Sequence, residues 1–367
     1  SHLDKQCGKI NADGKLPYTY LLPKEKDPCN KDRPIMSYYN HPQKGKLNKA
    51  GRVFMWILKL LQTLGDAKSF ATFDTSDYVK EMANVTLPPH TTVYLGDVKN
   101  MYTNIEHTNL LNVIEWALSK FQRVHGDANI FVPNSKTAKV CWLHQRKHKQ
   151  LGTIMTLDTI KQILTFDVQN AYFTLGNKIL RQTLGIPMGS PCSPAFAVAV
   201  CMKAEHDFST SHPDVKIIKG FRYIDDLLLF LEQPCDAIMH MYPPPLELES
   251  ELTLDGHTHK IKFLETWTEL DTHTGSFTII HALKQWIREP QGKPPLRNIT
   301  SFDSHVPHHQ NFGLAVGTLR RAARNSLGHA AQTVAKTRAM TALFEHNLSM
   351  RTACNAEVRV RNIEERT

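Results

Sequence analysis

Seven cysteines are present, at Cys7, Cys29, Cys141, Cys192, Cys201, Cys235 and Cys354, yet no two of them form a C-x-x-C pair. An odd count without that spacing argues against a disulfide framework and against a zinc site, and it fits a reducing compartment. No apolar run approaches the ~20 residues that a membrane span needs; the longest polar-free stretch is Pro194–Met202. The basic-then-apolar opening of a secretory leader is missing. The chain begins at Ser1 instead of Met, so a leader removed by processing stays an open alternative. Internal repeats and low-complexity tracts are absent as well, which excludes solenoids and arrays.

What is present is ordinary globular material: 367 residues, 41% hydrophobic and 22% charged. At ~150 residues per domain this predicts two or three domains with real cores. Lys and Arg number 44 against 35 Asp and Glu, a formal charge of +9. A basic excess suits a polyanionic partner such as nucleic acid, although many basic proteins bind none.

Along the chain, residues 23–50 carry Lys24, Lys26, Lys31, Arg33, Lys44, Lys46 and Lys49 and read as basic loops or a hairpin. Arg52–Leu64 has helical periodicity. Thr91–Leu95 is rich in strand formers and runs into Gly96-Asp97, which sets Asp97 at a strand end. Thr103-Asn-Ile-Glu106 has the form of a capping box. It precedes Leu110, Ile114, Ala117, Leu118 and Phe121 on one helical face. Residues 143–149 form an exposed basic insertion. Ser193-Pro194 predicts an N-cap followed by proline at the first helical position, with the helix running to about Phe208. Phe221–Phe230 is apolar on both sides of Asp225-Asp226, a hairpin pattern, and residues 242–285 predict further strands. From Asn311 onward Leu314, Leu319, Ala323, Leu327 and Leu343 mark a helical end.

Two adjacent carboxylates in an otherwise apolar hairpin repel unless cations hold them. A hard divalent metal such as Mg²⁺ resolves this, although a solvated Asp-Asp turn has the same sequence. Asp97 adds a third carboxylate from a separate strand, as a two-metal site requires. It also suits a plain helix-entry position. Tyr102 follows close behind; a ring there packs under a nucleotide sugar and excludes a 2′-hydroxyl, or simply packs at a helix start. Gly185-Ile-Pro-Met188-Gly189-Ser190-Pro-Cys-Ser193-Pro194 places two glycines and three prolines just before a helix, a backbone suited to close approach by a base and a template strand. His144 and His148 have i, i+4 spacing but no nearby carboxylate or cysteine, so basic surface is the better reading. His305, His308 and His309 flank Pro307 and suggest a loop. Arg320, Arg321 and Arg324 share a helical face that suits duplex phosphates or plain solvent.

In order, Asp97 with Tyr102, the Gly189-x-x-x-Ser193-Pro194 segment, and Tyr223-Ile-Asp225-Asp226 resemble motifs A, B and C of reverse transcriptases. The wording is most similar to the Penelope-like elements. Asp97-Val-Lys-Asn-Met-Tyr-Thr-Asn-Ile105 resembles that family's motif A, and Gln182-x-x-Gly185-x-x-Met188-Gly-Ser-Pro-x-Ser-Pro194 its motif B. Tyr242-Pro-Pro with Ile261-Lys-Phe-Leu-Glu265 resembles the strands after motif C, and Ser304-His305 with Leu319-Arg320-Arg321 the start of the thumb. The resemblance runs from about residue 20 to 350. Departures are Met188, where many reverse transcriptases have Gln, and Glu265, where the family usually has Asp. No stretch resembles the GIY-YIG endonuclease, so cutting of its own target is not expected; an endonuclease-lacking element and a domesticated or organelle-encoded relative fit equally.

The resemblance implies an α+β right-hand polymerase: fingers and N-terminal region over 1–90, palm with an antiparallel sheet over 91–285 (finger insertion about 120–185), and helical thumb over 286–367. It implies an RNA-directed DNA polymerase that adds dNTPs to a primer 3′-hydroxyl by two-metal catalysis. Asp97, Asp225 and Asp226 would be catalytic ligands of two Mg²⁺ ions, with Mn²⁺ as a substitute. Lys24, Arg33, Tyr102, Met188 and Gly189 would bind the nucleotide. Tyr223, Ser193, Pro194, Arg320, Arg321 and Arg324 would meet template and primer. The partners implied are an RNA template, a DNA or RNA primer and dNTPs, with no membrane, inside the cell in nucleus or mitochondrion. Two rivals share the fold: a non-catalytic RNA-binding or splicing/assembly factor, and an RNA-dependent RNA polymerase.

Overall fold

A computed structural model describes residues 13–24, 27–135, 137–250, 258–282, 302 and 307–365. Ser304, His305 and the expected palm–thumb boundary near residue 286 lie outside the described residues.

Of the basic segment 23–50, only the part up to Ser37 forms a hairpin, in which β1 (Tyr18–Lys24) pairs antiparallel with β2 (Asp27–Ser37); Lys44, Lys46 and Lys49, expected in loops or a hairpin, are helical. Helix α1 (Lys44–Thr63) starts well before Arg52, because Leu47, Ala50 and Val53 already extend the buried stripe of Phe54, Ile57, Leu58 and Leu61. Helix α2 (Thr75–Met82) is capped by Asp74, whose carboxylate accepts from the Ser76 N–H at 2.8 Å. Strand β3 (Thr92–Lys99) continues through Asp97 to Lys99, so Asp97 lies inside the strand and not at its end.

The short helix α3 (Met101–Asn104) and helix α4 (His107–His125) follow. The capping box does not form. Thr103 belongs to α3, where its hydroxyl donates back to the Asn100 carbonyl at 2.9 Å, and Glu106 precedes α4 without a side-chain cap. Strands β4 (Ile130–Pro133), β5 (Cys141–Trp142) and β6 (Gly152–Met155) make a small antiparallel sheet. The exposed basic run lies between β5 and β6. Only Leu143–Gln145 forms a 3₁₀ turn there, so His144 and His148 share no helical face.

Helix α5 (Leu157–Gln169) is capped by Thr156 and leads to the hairpin β7 (Tyr172–Leu175) and β8 (Lys178–Arg181). Helix α6 (Ser193–Ser211) begins one residue earlier than expected, with Ser193 already helical and Cys192 as the uncapped preceding residue. Then come β9 (Ile217–Tyr223), β10 (Asp226–Leu231), β11 (Glu247–Ser250), β12 (Thr258–Phe263), β13 (Thr266–Asp271) and β14 (Phe277–His281). Helices α7 (His308–Arg324), α8 (Gly328–Glu345) and α9 (Met350–Glu364) form the expected helical end. His308 and His309 open α7 instead of lining a loop, since Pro307 stands at the position before the helix.

The chain forms two compact units. The first takes Ser1–Ala71, Asp97–Val215 and Cys235–Glu249, the second Thr72–Gly96, Lys216–Pro234 and Ser250–Thr367. In the first, α1, α4, α5 and α6 pack on one another. Helix α6 is buried almost all round, from Ala195 to Met202, as its unbroken apolar sequence requires. Its Glu205 is buried yet satisfied, accepting from Ser69 Oγ, the Phe70 N–H and the Tyr242 hydroxyl. The β1–β2 hairpin extends into a sheet of order β2-β1-β7-β8.

In the second unit, Tyr78, Val79 and Met82 of α2 join Phe221, Leu228, Phe230, Ile261, Phe263, Leu270 and Ile279 in one core. Burying each large apolar side chain there contributes about 1.5–3 kcal/mol. A separate core of Ala315, Leu319, Ala335, Ala339, Leu343 and Val360 holds α7–α9 together. Among the described residues no helix is long and apolar enough to cross a membrane.

Candidate active site

The acidic hairpin is built from its buried strand outward. Leu227–Leu231 of β10 are all buried, and the strand sits inside a sheet of order β11-β3-β10-β9. Tyr223 pairs with Asp226, which leaves Ile224-Asp225 as a two-residue turn. Ile224 takes φ 59°, a left-handed conformation that a β-branched residue rarely adopts. Such an outlier costs about 1–3 kcal/mol and persists where the surroundings over-determine it. Here Arg222, 0% exposed, donates from Nη1 to the Ile224 carbonyl at 2.9 Å. The strands hold the ends of the turn and the guanidinium holds its middle.

Strand β3 is the neighbour of β10 in this sheet, and that adjacency brings Asp97 to the turn. One carboxylate oxygen each from Asp97, Asp225 and Asp226 lie within 4.8 Å of one another. Asp97 and Asp225 are half-buried and Asp226 is exposed. Three carboxylates this close, with oxygen donors alone, suit a hard cation of the Mg²⁺ type and not zinc, which takes nitrogen and sulfur. Tyr223 stands exposed beside them at the end of β9.

The second cluster is the 185–194 loop. The Ile186 N–H donates to the Tyr102 carbonyl at 2.7 Å, and the Met36 N–H at the end of β2 donates to the Met188 carbonyl at 2.9 Å. Both glycines are required. A Cβ on Gly185 (φ 78°) would stand 2.7 Å from the Tyr102 carbonyl oxygen, and one on Gly189 (φ 137°) 2.0 Å from that of Met36. Tyr102 and Met188 are half-buried and Gly189 is exposed, so the loop meets solvent at Gly189 while Gly185, Ile186, Pro187 and Ser190 are buried. Ser193 turns inward, its hydroxyl donating to the Pro187 carbonyl at 2.7 Å, while Pro194 is exposed. Arg33 lies exposed on β2, opposite Leu22 and three residues before Met36; Lys24 ends β1, opposite Asp27.

Arg320, Arg321 and Arg324 do share a face of α7. They line a cavity of about 290 Å³ with Asp74, Thr75, Glu265, Gly317 and Asn325. Arg321 lies 3.6 Å from Glu265, and Arg324 bonds Ser76 Oγ at 2.6 Å and lies 3.9 Å from Asp74.

Sequence reasoning passed over Arg222 and Asp167. Asp167 occupies the buried stripe of α5 with Ile160, Ile163 and Leu164, and its carboxylate accepts from Ser190 Oγ at 2.6 Å. Burial pushes its carboxyl up to about 6, opposed by the bonds from Ser190 and Cys192. The same burial, reinforced by the charge of Asp167, raises the Tyr38 hydroxyl and the Cys192 thiol. The available signal was an acid at i+3 and i+4 from buried apolar residues.

No family model matches the chain, and no curated protein sequence does. Solved structures do. Telomerase from Candida albicans, solved with the TWJ fragment of telomeric RNA, superposes with a TM-score of 0.57 at 13% identity, over 98% of this chain and 62% of that one. Telomerase from Candida tropicalis, with the same kind of RNA fragment, gives 0.51 at 11% identity, over 92% of this chain and 54% of that one. The chain thus spans a little over half the length of these telomerase chains. At such identities the likeness speaks to architecture: mixed helices and antiparallel sheets in the α+β, right-hand polymerase fold.

Proposed function

We propose that the chain is an RNA-directed DNA polymerase of the reverse transcriptase kind, most similar in its motifs to the Penelope-like elements. The observation that carries this reading is the convergence of one carboxylate oxygen each from Asp97 on β3, Asp225 in the β9–β10 turn and Asp226 on β10 to within 4.8 Å. A protein that merely bound RNA would gain nothing from clustered negative charge facing a polyanion. In this reading β1–β2 belongs to the fingers, the sheet of β3, β9, β10 and β11 to the palm, and α7–α9 to the thumb.

The reaction joins the primer 3′-oxygen to the α-phosphorus of a dNTP and releases pyrophosphate as the bridging P–O bond breaks. Asp97, Asp225 and Asp226 would hold two Mg²⁺ ions, which supply a lowered pKa for the 3′-hydroxyl and charge neutralisation on the leaving group. Arg33 and Lys24 offer a fork and a point charge for the triphosphate. Tyr102, whose backbone carbonyl accepts from the Ile186 N–H, would exclude a 2′-hydroxyl with its ring, and the exposed Gly189 backbone leaves room for the base. Cys141, Cys192, Cys201, Cys235 and Cys354 are free thiols, in keeping with an intracellular site of action in nucleus or mitochondrion.

The test is primer extension on an oligoribonucleotide template with Mg²⁺, beside an Asp225→Ala/Asp226→Ala control. Extension by the wild-type chain with dNTPs, lost in the control, is the expected result. RNA binding without extension would instead favour the assembly-factor rival, and preference for NTPs an RNA polymerase.

A further inference from the structure

The carboxylate of Asp167 has no part in the chemistry just described, yet it lies beneath the loop that is read as the nucleotide platform. It is 4% exposed, in a stripe where another apolar side chain would pack without the cost of burying a charge. Its partner Ser190 follows directly on Gly189. Ser190 Oγ donates to Asp167 at 2.6 Å and accepts the Cys192 N–H at 3.2 Å. The loop's other anchors include the backbone bonds Gly185 to Ile105, Ile186 to Tyr102, and Met36 to Met188, together with side-chain bonds between His107 Nε2 and the Gly185 carbonyl at 2.8 Å and from Ser193 Oγ to the Pro187 carbonyl at 2.7 Å. Asp167 therefore supplies the charge-assisted side-chain bond next to the exposed glycine, and such bonds are the strong ones.

We propose that Asp167 is a positioning residue for nucleotide binding: acting from below through Ser190, it fixes the Met188-Gly189 backbone at the height an incoming base requires. This rests on the polymerase reading above. It assigns Asp167 no contact with substrate. The expected signature is a change in nucleotide KM with kcat preserved, because the reacting groups are left in place.

The experiment uses the full chain and the variants Asp167→Ala, Asp167→Asn, Ser190→Ala and the Asp167→Ala/Ser190→Ala double, each checked for wild-type helicity by circular dichroism. Should Asp167→Ala fail to fold, Ser190→Ala, which removes one oxygen atom, carries the test. Two quantities are read: steady-state KM and kcat for the templated dNTP, and amide hydrogen exchange over residues 185–192. Losing a hydrogen bond to a charged group predicts a KM about tenfold higher for Ser190→Ala and Asp167→Ala, with kcat within about twofold. Exchange across 185–192 should quicken by a similar factor while α5 and α6 stay protected. The double variant should be no worse than either single one, as expected for two ends of one bond. Asp167→Asn keeps an acceptor oxygen and should recover most of the KM. Unchanged KM, unchanged exchange or additive losses would each overturn the proposal. If the wild-type chain incorporates no nucleotide, the polymerase reading falls and the nucleotide role falls with it, while exchange alone then decides whether Asp167 anchors the loop.

Discussion

Hairpins β9–β10 and β12–β13 both close with a two-residue turn whose first residue is large, apolar and left-handed: Ile224 at φ 59° and Leu264 at φ 54°. In both the second residue is acidic, Asp225 in one and Glu265 in the other. The flanking side chains face opposite ways. Tyr223 and Asp226 are exposed and Arg222 is buried, whereas Phe263 and Thr266 are buried and Lys262 is exposed. The second turn is consequently sewn into the core, with Leu264 packed on the apolar cluster and Thr266 Oγ1 donating to the Phe263 carbonyl at 2.7 Å. Its acid meets Arg321, while the acid of the first turn meets two other acids. Equal backbones with inverted faces yield a structural corner in one place and a candidate metal centre in the other. Strain at the turn is thus no mark of function; the chemistry follows from what the carboxylate is given as neighbours.

The largest effect that would separate the two turns is on chemistry. Asp225→Ala should slow single-turnover extension by roughly 10³-fold or more, and chelation of Mg²⁺ should stop the wild-type chain, since both remove the means of stabilising charge at the reacting phosphorus. Glu265→Ala should stay within about threefold. Equal losses would break the contrast. Next in size is stability. Arg222→Ala removes a buried side chain and the donor to Ile224 and should cost about 3 kcal/mol by urea unfolding. The exposed Lys262→Ala, at the matching position, should change stability by no more than ~0.5 kcal/mol.

This contrast also shows how far the sequence could be read. The acidic hairpin, the helix on Leu110–Phe121 and the helical end were legible because burial imposes a period that the residues display. The convergence of Asp97 with Asp225 was legible through motif resemblance, not through spacing, since nothing local dictates that β3 lies beside β10. Arg222 and Asp167 went unread for the opposite reason. A lone charge inside an apolar pattern looks like an exposed interruption until the tertiary partner, a turn carbonyl or a serine from a distant loop, is known. The false capping box has a similar origin. Thr103-x-x-Glu106 carries the right residue types, but a preceding turn of helix had already claimed the Thr103 hydroxyl.

The smallest effect concerns the Arg321–Glu265 pair, which ties the second turn to α7. Both side chains are substantially exposed, and at 3.6 Å the pair should contribute less than ~1 kcal/mol, so Arg321→Ala and Glu265→Ala should melt within a few degrees of wild type. Their effects on template–primer binding should diverge. If Arg321 reaches a phosphate, Arg321→Ala weakens binding across all sequences and lowers the slope of log affinity against log salt by about 1. Glu265→Ala removes the competitor for that guanidinium and should tighten binding about twofold at low salt, an effect that fades as screening grows. Titration of a labelled duplex at several salt concentrations reads both. Identical slopes for the two variants would mean that Arg321 spends its charge on the hairpin alone, and that the second turn braces α7 without contributing to the nucleic-acid surface.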